Sequence, residues 1–171
     1  MQAALHVSEP LGRLRRNAAA SGDLGDDANA PGVSGTASGT GTRTPCVLLV
    51  EDNAINQVVA LEFLALMGLS ASLAKNGLEA IEQCSQCAPD LVLMDIQMPG
   101  MDGLECTRKL RAMQQRGELA PFPIIALTAH ALASDIEASR AAGMDEHLTK
   151  PLDFGQLHAH LSRWLKTPKS N

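Results

Sequence analysis

The chain has 171 residues, enough for one domain of ordinary size, and 45% of them are hydrophobic, as in a globular protein with a buried core. A net charge of −5 argues against a nucleic-acid partner, and no apolar run approaches the roughly 20 residues of a membrane-spanning helix. The aromatic residues are three Phe and one Trp, with no Tyr, so the core has to be aliphatic.

The charge is unevenly placed. Within residues 1–45, Arg13, Arg15, Arg16 and Arg43 balance Glu9, Asp23, Asp26 and Asp27, so the whole deficit falls on 46–171. Residues 18–44 hold only Leu24 and Val33 as apolar side chains larger than alanine, proline aside. Such a segment buries too little to offset its ordering entropy, and 1–45 reads as a disordered leader or linker. The weakly apolar start around Leu5 lacks a continuous hydrophobic stretch, which argues against a signal peptide. A linker at this position suggests a fragment of a longer protein or a chain with a disordered leader.

From Cys46 the pattern alternates between strand and helix. Residues 46–50 (CVLLV) form a short apolar run, the first strand. Residues 54–67 carry Ile55, Val59, Phe63 and Leu66 at helical spacing, with Gly68 where a C-cap belongs. Residues 70–74 are a weak second strand, and Asn76 caps a helix over 77–87 with Leu78 and Ile81 on one side. That helix contains Cys84-x-x-Cys87. With no second pair at metal-ligand spacing, these and Cys46 and Cys106 are expected as reduced, buried or half-buried thiols, which suits a reducing cytoplasm.

Residues 91–94 are the third strand, a four-residue apolar run bounded by polar and turn residues, as in strands buried on both faces. A helix over 104–116 follows, with Leu104, Leu110 and Met113 roughly in phase. Residues 123–127 (PIIAL) are the fourth strand, and a short polar helix over 134–142 is anchored by Ile136 and closed by Gly143. A fifth strand covers 146–149. The last helix spans 154–166, with Phe154, Leu157, Leu161, Trp164 and Leu165 in phase, leaving 167–171 as a tail. Five strand–helix pairs describe one doubly wound, five-stranded parallel sheet with right-handed crossovers.

In such a sheet the chemistry gathers beyond the carboxyl ends of the strands. There stand Glu51 and Asp52, Asp95, Thr128, and Lys150 followed by Pro151. Three carboxylates at one edge repel one another and call for a cation; hard oxygen ligands suit Mg²⁺ (or Mn²⁺), which also takes phosphate oxygens. A lysine and a hydroxyl aimed at the same place suit a phosphoryl group. Phosphoryl transfer onto a carboxylate nucleophile is the simplest chemistry joining these parts.

The motifs VEDN at 50–53, MDIQMPGMDG at 94–103, ALTAHA at 126–131 and LTKP at 148–151 resemble the receiver domain of two-component response regulators. VEDNAINQ at 50–57 is most similar to receivers attached to hybrid sensor histidine kinases. The resemblance covers about 46–166 and implies the (βα)5 flavodoxin-like, CheY-like fold. It implies Asp95 as phosphoacceptor, taking its phosphoryl group from a phosphohistidine. It implies Mg²⁺ on Asp52, Asp95 and the Gln97 backbone carbonyl, with Glu51 acting through a water. It further implies Thr128 and Lys150 on the phosphoryl oxygens, and a cis Lys150–Pro151 peptide. His147 stands where receivers usually carry a Tyr or Phe switch residue, so the usual aromatic coupling to Thr128 is in question. Gln97 and His130 flank the path of the attacking water and would tune the phosphoryl lifetime.

The expected partners are the phosphohistidine of a sensor kinase core, a histidine phosphotransfer domain, or both, with neither nucleic acid nor membrane contacting this segment. The domain would catalyse only its own aspartyl phosphorylation and dephosphorylation, in the cytoplasm, whether or not its parent is membrane-anchored. A stand-alone single-domain regulator is the alternative context. A haloacid-dehalogenase-like phosphatase would want a second Asp two residues after Asp95, where Gln97 stands. A pseudo-receiver would lack Asp95, Lys150 or the acidic pair, and all are present.

Overall fold

The computed structural model describes residues 43–130 and 132–165. Most of the leader expected over 1–45, and the 167–171 tail, lie outside those residues. Arg43–Pro45, the described part of that leader, touch the domain: Arg43 pairs with Asp90 at 2.6 Å, and the Pro45 carbonyl accepts from the Ser70 N–H at 3.0 Å.

Five parallel strands, β1 (Cys46–Val50), β2 (Ser70–Ala74), β3 (Leu91–Asp95), β4 (Ile124–Thr128) and β5 (Glu146–Thr149), form one sheet in the order β2-β1-β3-β4-β5. Between them run α1 (Ala54–Leu66), α2 (Gly77–Gln86), α3 (Gly103–Gln115) and α4 (Ala133–Ala142), and α5 (Phe154–Trp164) follows β5. Every element expected from the sequence is present, with ends shifted by at most two residues. The chain steps outward from β1 to β2, then returns past β1 to β3. That reversal opens a crevice at the carboxyl ends of β1 and β3.

Side-chain alternation along the strands divides the core into two layers. Leu48, Val50, Val92, Met94, Ile124 and Ala126 face α2 and α3, where Ala80, Cys84, Cys106 and Leu110 complete one layer. Val47, Leu49, Leu91, Leu93, Ile125 and Leu127 face α1 and α5, which contribute Ala60, Leu64, Leu157 and Leu161 to the other. β3 and β4 are buried at every residue, which is why they read as continuous apolar runs. Burial pushes the Cys84 and Cys106 thiols up to about 12, so both remain thiols in the core.

The helix faces depart from expectation on three helices; on α5, Phe154 and Trp164 are exposed while Leu157 and Leu161 are buried. On α1 the sheet-facing residues are Ala60 and Leu64, while Ile55 is 75% and Leu66 73% exposed. Apolar residues occupy nearly the whole circumference of α1, so periodicity fitted two stripes, and the small Ala60 allowed the other one to approach the sheet. On α2, Leu78 faces out while Gly77, Ala80 and Cys84 are buried. Cys87 is the C-cap of that helix and exposed, not part of its interior, because α2 ends at Gln86.

Polar caps fix where helices begin. Asn53 Oδ1 accepts from the Ile55 and Asn56 N–H groups at 3.0 and 3.2 Å. Asn76, Asp102 and Asp153 do the same service for α2, α3 and α5. Two of these capped starts, α1 and α3, lead directly out of the crevice.

Candidate functional site

β1 delivers Glu51 and Asp52 to the crevice and β3 delivers Asp95, the last residue of the strand rather than the first beyond it. One ligand oxygen from each of these three carboxylates lies within 4.8 Å of the others. Glu51 and Asp95 are each 1% exposed, whereas Asp52 opens to solvent. β5 supplies Lys150 from the far side: its Nζ lies 3.0 Å from Glu51 Oε2 and 3.0 Å from Asp95 Oδ1. The Lys150 N–H donates to the Thr128 carbonyl at 2.7 Å, which ties the residue after β5 to the end of β4, and Lys150–Pro151 is cis.

The electrostatics follow from that packing. Burial raises the Asp95 carboxyl to about 6, helped by the Glu51 charge and opposed by the Lys150 ammonium and the Gln97 N–H. Burial acts on Lys150 in the opposite sense, yet its contacts to Asp95 and Glu51 outweigh it and hold its pKa above the ordinary value. Lys150 is therefore a fixed positive charge wedged between two buried acids.

The loop after β3 shapes the floor. The Gln97 N–H donates to Asp95 Oδ1 at 3.1 Å, and the Gln97 side chain is exposed. Met98 is buried and Met101 partly so, both packed against the α2–α3 layer, as expected of packing methionines. Gly103 opens α3 directly beneath Asp95, where a Cβ would stand 2.1 Å from the Asp95 carbonyl oxygen. Only glycine permits that approach.

Thr128 ends β4, buried, with its hydroxyl engaged by the main chain of His130: it donates to the His130 carbonyl at 2.7 Å and accepts from the His130 N–H at 3.2 Å. The His130 side chain is exposed. His147 lies apart from the carboxylates, half-buried on edge strand β5, in a groove of about 380 Å³ that Ser139, Arg140, Gln156 and His160 also line. His158 is exposed, and His160 pairs with Glu146, so neither gathers with other ligand side chains.

The sequence reading left three residues without a role. The Asn53 N–H and Asn56 Nδ2 both donate to Glu51 Oε1 at 3.2 Å, and Gln57 Nε2 donates to the Glu51 carbonyl at 2.8 Å. The signal was there, in three amide side chains within five positions on an otherwise apolar helix start, but periodicity does not say where amides point.

A doubly wound α/β domain with three clustered carboxylates and a half-buried lysine at the carboxyl edge of its sheet has the fold and the donor set of a phosphoacceptor domain. A model of the response regulator receiver domain matches residues 47–162, and the chain belongs to that family. It is 41% identical over 123 residues to the sensor protein GacS of Pseudomonas syringae, covering 72% of this chain and 14% of that protein. The chain thus spans about a seventh of this curated relative's length. Among solved structures, the receiver domain of the Pseudomonas aeruginosa sensor histidine kinase PA1611, with a magnesium ion in its active-site cleft, is 37% identical. It superposes with a TM-score of 0.65 over 73% of this chain and 100% of that one. The receiver domain of the Saccharomyces cerevisiae regulator Ssk1, crystallised with the histidine phosphotransfer protein Ypd1, is 34% identical with a TM-score of 0.66, covering 71% and 88%. As a member of this family, the domain is a receiver of two-component phosphorelay signalling.

Proposed function

We propose that Asp95 is the phosphoacceptor, that its donor is a phosphohistidine, and that the phosphoryl group passes on to a histidine phosphotransfer domain. The observation that carries this is Lys150 at 3.0 Å from both Glu51 and Asp95 in a crevice that also holds Asp52. An Asp95 oxygen attacks the phosphorus, the new O–P bond forms as the P–N bond breaks, and the departing imidazole keeps the electron pair and takes up a proton. Lys150, already charged and oriented, is placed to meet the oxygens of the incoming group. Thr128 reaches them by exchanging its hydrogen bond to the His130 carbonyl for one to phosphate.

The donor set fits Mg²⁺: three hard carboxylates within 4.8 Å, one of them raised to about 6 by burial and the neighbouring Glu51 charge. Asp52, Asp95 and the Gln97 carbonyl would hold the ion and Glu51 would reach it through water. When bound, it supplies charge neutralisation for the phosphoryl oxygens and for the buried acids. Gln97 and His130, exposed at the rim, set how readily water reaches the product, and His147 stands at the switch position in the α4–β5–α5 groove.

Partner docking has a surface beside the acids. Ile55 and Val59 of α1, with Pro151 and Leu152, line an apolar cleft of about 170 Å³ that Glu51 and Lys150 close at one end. A helical phosphotransfer domain set against it would bring its histidine to Asp95, the kind of partner seen with Ssk1. The likeness to PA1611 and GacS favours a hybrid sensor kinase as the parent, with 1–45 as its linker; a cytoplasmic location is part of the same proposal. The test is transfer: purified histidine phosphotransfer domain carrying phosphate should label the wild-type chain and leave Asp95→Asn unlabelled. Labelling of Asp95→Asn would place the acceptor elsewhere.

A further inference from the structure

We propose that Asn56 is a positioning residue for phosphoryl transfer, acting through Glu51 on Lys150; the inference rests on Asp95 being the acceptor. Glu51 is 1% exposed, so both of its oxygens need partners within the protein. Oε2 has the Lys150 ammonium at 3.0 Å. Oε1 has the Asn56 side-chain amide and the Asn53 N–H, each at 3.2 Å. The Gln57 amide holds the Glu51 carbonyl at 2.8 Å, and the Glu51 N–H donates to the Ala74 carbonyl at 3.1 Å. The residue is thus pinned along its main chain and at one oxygen, and the remaining oxygen aims Lys150 at Asp95.

Asn56 itself is placed by α1. It occupies the third position of the helix, where its own N–H is spent on the Asn53 cap, and half-buried it faces the cleft shared by Glu51 and Lys150. The Asn56 amide is thus the one side-chain donor that, beside the Asn53 N–H, holds the rotamer of a buried acid, and through it the position of the cation. Without that amide the carboxylate can turn, and Lys150 loses a fixed counter-charge on the side away from Asp95. The metal side is less affected, because Asp52 and Asp95, which would hold the ion directly, do not bond Asn56, and Glu51 would reach it only through water.

Initial rates with acetyl phosphate, measured on the full chain across a Mg²⁺ titration, test this. Asn56→Leu keeps the branched shape, improves helix propensity and removes the donor. Its rate at saturating Mg²⁺ should fall roughly tenfold, as for a lost hydrogen bond to a charged group, while half-saturating Mg²⁺ stays within about twofold. Asn56→Asp is favoured at a helix start, so it protects the fold, yet it repels Glu51 and should fall at least as far. A saturating rate within about threefold of wild type in either variant overturns the proposal, as does a loss that extra Mg²⁺ restores. If the wild type itself gains no phosphoryl group, the acceptor assignment fails first. A labelled wild type with normal Asn56 variants sinks only this inference.

Discussion

At Asp95 burial and the Glu51 charge oppose ionisation, and Lys150 favours it; burial prevails, with the carboxyl near 6. In the unfolded chain the same group titrates at about 3.8. The native state therefore keeps its proton to higher pH than the unfolded state, so this contribution to stability is full below 3.8 and lost as pH rises through 6. Asp95→Asn removes the charge while keeping the shape, and forfeits part of the Lys150 attraction. It should stabilise the metal-free domain by about 1 kcal/mol at about pH 8, and the gain should vanish near pH 4. Urea unfolding at the two pH values, with chelator present, checks both sign and window. Added Mg²⁺ should raise the wild-type midpoint and leave Asp95→Asn nearly unmoved, since only the former keeps the full set of ligands. Lys150→Met tests the other partner: Mg²⁺ binding by calorimetry should survive, while the rate of phosphoryl gain falls by about 100-fold or more. A normal rate would show that Lys150 does not meet the phosphoryl oxygens.

The elements hold these residues by devices of unequal visibility in the sequence. β3 and β4 were legible because strands buried on both faces leave unbroken apolar runs, and the cap Asn76 marks where α2 starts. The inward face of α1 was not legible, because Ile55, Val59 and Leu66 satisfy the helical period as well as Ala60 and Leu64 do, and only the packing distance to the sheet chooses between them. Two element-scale predictions follow from the same facts. Ile55→Ser leaves stability within about 0.5 kcal/mol, because the side chain is 75% exposed, while weakening binding of a phosphotransfer domain, read by calorimetry. Gly103→Ala forces a Cβ to within 2.1 Å of the Asp95 carbonyl oxygen, so α3 must move away from β3. It should lower unfolding free energy by about 2–4 kcal/mol in urea and slow phosphorylation, because the shifted carbonyl belongs to the acceptor. An unchanged midpoint would mean that the turn relaxes freely.

For the whole molecule, the order β2-β1-β3-β4-β5 is what makes one site out of residues far apart in the chain. Reversal after β2 sets the acids that follow β1 beside Asp95, and continuation to β4 and β5 brings Lys150 to an acid 99 residues earlier in the sequence. The acids could be read in advance because they stand at the ends of apolar runs, and the lysine because it stands in the LTKP motif that closes the fifth strand. The amide clamp of Asn56 and Gln57 on Glu51 could not, since it depends on how the first turn of α1 leans over the sheet. The central claim is that all of this serves a single carboxylate. Intact-mass measurement after incubation with Mg²⁺ and acetyl phosphate tests it most directly. The wild-type chain should gain one labile phosphoryl group that chelator prevents and Asp95→Asn does not acquire; the same gain in Asp95→Asn would contradict the account.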